Sequence, residues 1–176
     1  MSHQYIDLIS IFNQTFYQEY NTCLELGGDE PVYLPAESEN DHHRIVFARG
    51  FYASALHEIA HWCVAGPRRR LLEDFGYWYE PDGRTAEVQA EFEKMEIRPQ
   101  AYEWILATSA GFPFNVSCDN LHGEFEPDRI AFMTMVHREV LAIFEQGIPP
   151  RVAALSNALC EFYGTPMLKP EMFVVR

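Results

Sequence analysis

The sequence predicts an α+β (mixed α/β) fold: one domain over residues 1–176, with a small sheet and several helices. Three observations lead there. The chain has 176 residues, 48% of them hydrophobic and 22% charged, which is enough apolar material for one core and is not the balance of a disordered chain. Apolar residues recur at three- and four-residue spacing over several long stretches, whereas the β-branched or aromatic runs are few and short. No internal repeat or low-complexity linker divides the sequence.

The elements follow in order. Ile6, Ile9, Phe12, Phe16 and Tyr20 share one helical face and predict an opening amphipathic helix, broken by the turn-forming Gly27-Gly28-Asp29-Glu30-Pro31. Val32–Leu34 and Arg44–Ala48 read as strands separated by a polar loop from Glu37 to His43. Ala53 to Val64 contains good helix formers, no breaker, and a stop at Gly66-Pro67. Phe75-Gly76-Tyr77-Trp78-Tyr79 is a further candidate strand ending in the turn Pro81-Asp82-Gly83. Residues 85–95 and Pro99–Ala110 are expected as two separate helices, with Pro99 near the first turn of the second. Gly111 to Asn120 reads as an ordered loop, and Asp128–Gln146 and Arg151–Tyr163 as two closing helices.

Charge narrows the function. Thirteen Lys and Arg stand against 26 Asp and Glu, a net charge of −13, and protonating all 7 His would leave the chain negative. A surface of that sign disfavours general phosphate-backbone binding and favours a basic substrate or partner, so direct nucleic-acid binding is not expected. The N-terminus has no basic segment followed by an apolar one, and no apolar run approaches the ~18 residues of a membrane span. Cys23, Cys63, Cys118 and Cys160 are scattered and form no C-x-x-C pair, so they read as reduced thiols. The expectation is a cytoplasmic protein without membrane contact.

One motif carries chemistry: His57-Glu58-Ile59-Ala60-His61. Residues i and i+4 of a helix share a face, so both imidazoles can reach one metal ion. Glu58 lies about 100° around the helix, close enough to touch a metal-bound water or to support the ligands from behind. The surrounding Ala53, Ala55, Leu56, Ile59, Ala60, Trp62, Cys63 and Val64 are apolar, and histidines buried there need a ligand or a hydrogen bond.

A third histidine at the spacing H-E-x-x-H-x-x-G-x-x-H is absent, because the next histidine after His61 is His122. A carboxylate on a later helix is the better third ligand. Glu96 is chosen, at the expected start of the Pro99 helix where a side chain can turn inward; Glu93, Glu103 and Asp74 are the alternatives. Two histidines and a carboxylate leave coordination positions open, as catalytic sites do. With zinc and Glu58 as general base the set gives hydrolysis, by a peptidase or a ribonuclease; with iron(II) it gives oxygen activation. Ligand identity does not separate these, and a binding module holding a structural metal is a third reading, disfavoured by the open positions. Phe75, Tyr77, Trp78 and Tyr79 form an aromatic cluster able to hold a cationic amine by cation–π contact, or else to pack as a core strand, with Tyr77, Trp78 and Tyr79 the candidate substrate-binding residues. Arg68-Arg69-Arg70 follows the motif and can favour the carbonyl end of its helix.

The stretch Ile45-Val-Phe-Ala-Arg-Gly-Phe-Tyr-Ala-Ser-Ala-Leu-His-Glu-Ile-Ala-His-Trp62 resembles the bacterial elongation factor P hydroxylase family. So do Phe75–Tyr79 with Pro81-Asp-Gly-Arg84, Pro99-Gln-Ala101, and Phe112-Pro-Phe-Asn-Val-Ser-Cys-Asp-Asn120 with Phe125-Glu-Pro-Asp-Arg129. The similarity runs from about Gly27 to His137 and fades toward the C-terminus. It implies hydroxylation of the β-lysyl-modified lysine of elongation factor P, with O2 as cosubstrate at an iron(II) site of two histidines and one carboxylate. Zinc or another divalent metal is an expected substitute in purified protein. It also implies a zincin-like or ribonuclease-like arrangement, with His57 and His61 as ligands; Glu96 is the matching carboxylate. Only the resemblance selects oxygenation over hydrolysis. His122-Gly-Glu124 fits H-x-E, but too few strand signals surround it for a double-stranded β-helix.

Overall fold

Helix α1 (Tyr5–Tyr20) buries Leu8, Ile11, Phe12 and Phe16; of the expected face, Phe12 and Phe16 point into the core, Ile9 and Tyr20 are half-buried, and Ile6 is 62% exposed. It ends at Asn21, whose φ of 49° turns the chain into the left-handed region. The chain then enters β1 (Thr22–Leu26), a strand the sequence reading missed. Its five residues follow the helix with no Gly or Pro between, and the left-handed Asn21 is the one local sign of the change. Strands β2 (Val32–Leu34) and β3 (His43–Phe47) fall within a residue of expectation. The order is β1-β3-β2, with β1 parallel and β2 antiparallel to β3.

The protein is described from a computed structural model for residues 2–74, 85–117 and 127–176. The strand expected over Phe75–Tyr79, with Tyr77, Trp78 and Tyr79, lies outside those residues, as does His122-Gly-Glu124. After β3 comes α2 (Tyr52–Val64), then α3 (Ala86–Ser109), α4 (Arg129–Gln146) and α5 (Pro150–Tyr163). Thr85 and Asp128 cap α3 and α4 by accepting backbone N–H bonds, as helix starts require. Elements from both halves of the chain share one core, in which Phe12, Phe47, Leu56, Ile105, Phe132 and Leu155 are almost wholly buried. The α+β class stands. Beyond the motif helix itself, this topology gives no support to the zincin-like expectation.

The largest departure is α3. Residues 85–95 and Pro99–Ala110 are not two helices but one of 24 residues, with Pro99 inside it. Proline has no N–H for the carbonyl four residues back, and an interior proline costs about 3 kcal/mol. Burial offsets that cost: Pro99, Gln100, Ala101, Tyr102, Trp104, Ile105, Leu106 and Ala107 are all buried. Glu96 therefore stands in mid-helix, not at a helix start.

Candidate metal centre

Helix α2 turns Leu56, Ile59, Ala60 and Cys63 into the core and keeps His57, Glu58 and His61 on its less buried side. That division follows from the 3.6-residue period. The imidazoles of His57 and His61 lie edge to face with centroids 4.7 Å apart, and their Nε2 atoms are 3.1 Å apart. From α3, Glu96 brings Oε1 to 3.2 Å from His61 Nε2 and Oε2 to 4.0 Å from His57 Nε2. One ligand atom from each of the three residues falls within a 4.8 Å cluster.

The donor set fits a divalent ion. Neighbouring ligands held about 2.1 Å from one metal at right angles are about 3.0 Å apart. The two Nε2 atoms and the Glu96 Oε1–His61 Nε2 pair lie near that value, and the second Glu96 oxygen, Oε2, stands 4.0 Å from His57 Nε2.

Behind the ligands stands Glu103. His57 Nδ1–H donates to Glu103 Oε1 at 2.6 Å, which holds a proton at Nδ1 and turns Nε2 toward His61 and Glu96. Glu96 and Glu103 are 6% and 9% exposed, unusual burial for carboxylates unless they are paired. Gln100 links the site to the segment after α3: its Nε2 donates to Glu96 Oε2 and to the Ser117 carbonyl, while its Oε1 accepts from Ser117 N–H.

The electrostatics suit a cation. Burial opposes charge on His57, but Glu103, bonded to the ring, and then Glu96 and Glu58 outweigh it and push its pKa up to about 10. Burial would raise Glu96, yet the hydrogen bond and charge of His61, with the charge of His57, hold it below the ordinary carboxylate range. Glu58 goes the other way: burial raises it, and the two histidines offset this only in part. Glu58 lines a cleft of about 440 Å³ together with His57, Glu103, Arg49 and Phe51. On its other side it borders a cavity of about 30 Å³ shared with His61, Tyr33 and Asp74.

Among the described residues, the remaining sequence candidates add no ligand atom to the cluster, although Asp74 lines the small cavity beside His61. Asp74 accepts from Arg69 Nε at 2.6 Å, and Glu93 accepts from Gln89 Nε2 at 3.3 Å. Of the Arg68–Arg70 run, Arg70 does reach the carbonyl end of α2, donating to Ala65 O at 3.0 Å. A larger share falls to Arg151 of α5, which the sequence reading did not single out. Its guanidinium donates to the carbonyls of Trp62 (2.6 Å), Cys63 (3.1 Å) and Ala65 (2.9 Å) and lies 4.7 Å over the Trp62 ring. The last turn of the histidine-bearing helix is thus clamped from the opposite end of the chain.

Residues 11–173 match the family described as elongation factor P hydroxylase. The chain belongs to that family. The match runs past His137 to the last helix and tail, so the resemblance does not fade where the sequence blocks had suggested. Among its relatives is the elongation factor P lysine hydroxylase of Haemophilus influenzae, 58% identical over 165 residues, covering 94% of this chain and 92% of the relative. The α2 histidines, Glu96, Glu103 and Arg151 all fall inside the matched family span.

Proposed function

We propose that residues 1–176 act as one hydroxylase domain that adds an oxygen atom to the β-lysyl-modified lysine of elongation factor P. His57, His61 and Glu96 would hold iron(II), and O2 would be the cosubstrate. The observation that carries this reading is the convergence of His57 Nε2, His61 Nε2 and a Glu96 oxygen within 4.8 Å, in a chain of this family. Bound there, iron supplies the capacity to activate O2, which no side chain of the protein has. The protein's own residues do the rest. Glu103 holds the His57 proton at Nδ1 and aims Nε2. Gln100 orients Glu96 through Oε2. Glu58, whose carboxyl is held up by burial, sits where it can take or return a proton at the cleft wall. A net charge of −13 and carboxylates along the cleft favour a substrate that carries amines. No helix among the described residues is long and apolar enough to cross a membrane, which fits the cytoplasmic location we infer for a translation-factor substrate.

Glu58 also keeps one other reading open, a zinc hydrolase in which it serves as general base. Two measurements separate them: metal analysis of protein purified without oxygen, and intact mass of β-lysylated elongation factor P after incubation with iron and O2. One added oxygen atom supports the hydroxylase. An unchanged substrate mass, with cleavage of unstructured peptides that disappears in Glu58→Gln, overturns it in favour of the hydrolase.

A further inference from the structure

The cleft that reaches His57 and Glu58 has a rim whose build the metal chemistry does not require. Between β3 and α2 the chain makes a tight turn at Arg49 and Gly50, with φ of 63° and 68°. Two left-handed residues in succession are natural for glycine, but a side chain there is strained by roughly 1 kcal/mol. The turn itself is fixed by backbone, since Arg49 N–H donates to the Gly28 carbonyl at 3.1 Å. The Arg49 side chain adds nothing to that bond. It is exposed, lines the cleft, and has no ion pair among the described residues. Next to it Phe51 is 59% exposed on the same cleft, although it opens a helix whose other aromatic residues, Tyr52 and Trp62, are buried. A strained position holding a cation with no ion pair among the described residues, beside an exposed phenyl ring at the mouth of the site, is a costly arrangement for the fold alone.

We infer that Arg49 and Phe51 form the docking rim for the protein substrate, gripping the loop that carries the target lysine while that lysine enters the cleft. This rests on the hydroxylase reading for the identity of the substrate. The charges of the cleft define what fits. Inside, Glu58 and Glu103 call for an amine-bearing side chain; Asp29 also lines the cleft but forms no ion pair with Arg49, so Arg49 calls for a carboxylate on the same loop, and Phe51 for an apolar neighbour. The occupant is therefore a loop presenting an amine and an anion close together. The rim is continuous with the metal site, so the recognising and reacting ends of one substrate meet a single surface.

Arg49→Gly separates recognition from folding, because glycine relaxes the backbone while it removes the guanidinium. Binding of β-lysylated elongation factor P to the metal-loaded protein is measured by calorimetry, alongside the melting temperature and metal affinity. For Arg49→Gly the expected result is an unchanged or higher melting temperature, unchanged metal affinity, and a Kd about tenfold weaker with a flatter salt dependence. Phe51→Ala should weaken binding by a similar factor with no change in salt dependence. Wild-type affinity in both variants overturns the inference, as does a wild type that binds no elongation factor P. A lower melting temperature in Arg49→Gly also overturns it, since the side chain would then be serving the fold. A wild type that binds through this rim yet adds no oxygen supports the docking surface and sinks the hydroxylase reading.

Discussion

Two turns of α3 carry the same residue type to the same pair of imidazoles and do different things there. Glu96 and Glu103 are seven residues apart, share the helix face toward α2, and are almost equally buried. Glu96 meets the Nε2 atoms, 3.2 Å from His61 and 4.0 Å from His57. Glu103 meets His57 from behind, at Nδ1. Burial and acidity do not distinguish a ligand from its support; the ring nitrogen that each carboxylate faces does. The first turn offers an oxygen to an ion, and the second uses up a proton so that nitrogen can do the same.

Removing the front turn should have the largest effect. Glu96→Ala leaves two neutral imidazoles and no anion, and His57→Ala or His61→Ala leaves a single imidazole with Glu96. In each case stoichiometric metal should be absent from the purified protein by elemental analysis, with the helical circular dichroism signal retained because the core face of α2 is untouched. A full complement of metal in Glu96→Ala would make the two turns equivalent and break the comparison.

Removing the rear turn should weaken the site and not empty it. The 2.6 Å bond to His57 Nδ1 makes Glu103 a support of a ligand and not the ligand itself. Loss of a carboxylate behind a histidine ligand costs about 10–100-fold in metal affinity, so Glu103→Ala should bind metal with a Kd raised by that factor in a competition titration. Glu58→Gln belongs in the same range for activity under the hydroxylase reading, and should fall by orders of magnitude under the hydrolase one.

The two carboxylates also set a pH dependence with opposite signs for fold and metal. His57 is pushed from its ordinary 6.5 up to about 10 in the metal-free protein. A raised pKa means that the folded state holds the proton more tightly than the unfolded chain. The stabilisation is complete below about 6.5 and is lost as pH rises from there toward 10. Metal must displace that proton, so metal affinity should climb across the same window, by up to about tenfold per pH unit for one proton released. Thermal melts of metal-free protein and metal titrations between pH 6 and 8.5 should therefore slope in opposite directions. Glu103→Ala should flatten both.

Much of this was legible in the sequence, and the part that was not has a physical reason. The motif, the apolar face of α2 and the closing helices follow from local period and spacing. The residues around Glu96 read locally as the start of a helix, whereas Glu96 stands in the middle of one. Treating Pro99 as a boundary hid the more telling pattern. Gln89, Glu93, Glu96, Gln100 and Glu103 recur at intervals of four, three, four and three, a polar seam along one face of a helix that is otherwise buried toward its C-terminal end. Read across Pro99, that seam places Glu96 and Glu103 opposite the histidines together. β1 was missed because Thr22–Leu26 is short and its parallel partner is 21 positions away, at His43. Arg151 was out of reach for the same reason: nothing local to α5 shows that its guanidinium ends on α2.

Arg151 gives the smallest and most discriminating effect. It touches neither turn of α3 and no ligand atom, yet it holds the carbonyls of Trp62, Cys63 and Ala65, directly after His61. A planar fork reaches three carbonyls at once, and a lysine ammonium on a flexible stem cannot reproduce that geometry. Arg151→Lys keeps the charge at the negative end of the helix but should lose one or two of the bonds, about 1–3 kcal/mol of stability in a denaturant titration. His61 should feel this as slack in the last turn of α2, with metal Kd rising only a few-fold, less than for Glu103→Ala. His57, a turn further from the clamp and tied to Glu103, should not move. A loss of metal as large as that of Glu103→Ala would show that the carbonyl end of α2 governs the site as strongly as the carboxylate behind it, and that the site has a third control point besides the two turns of α3.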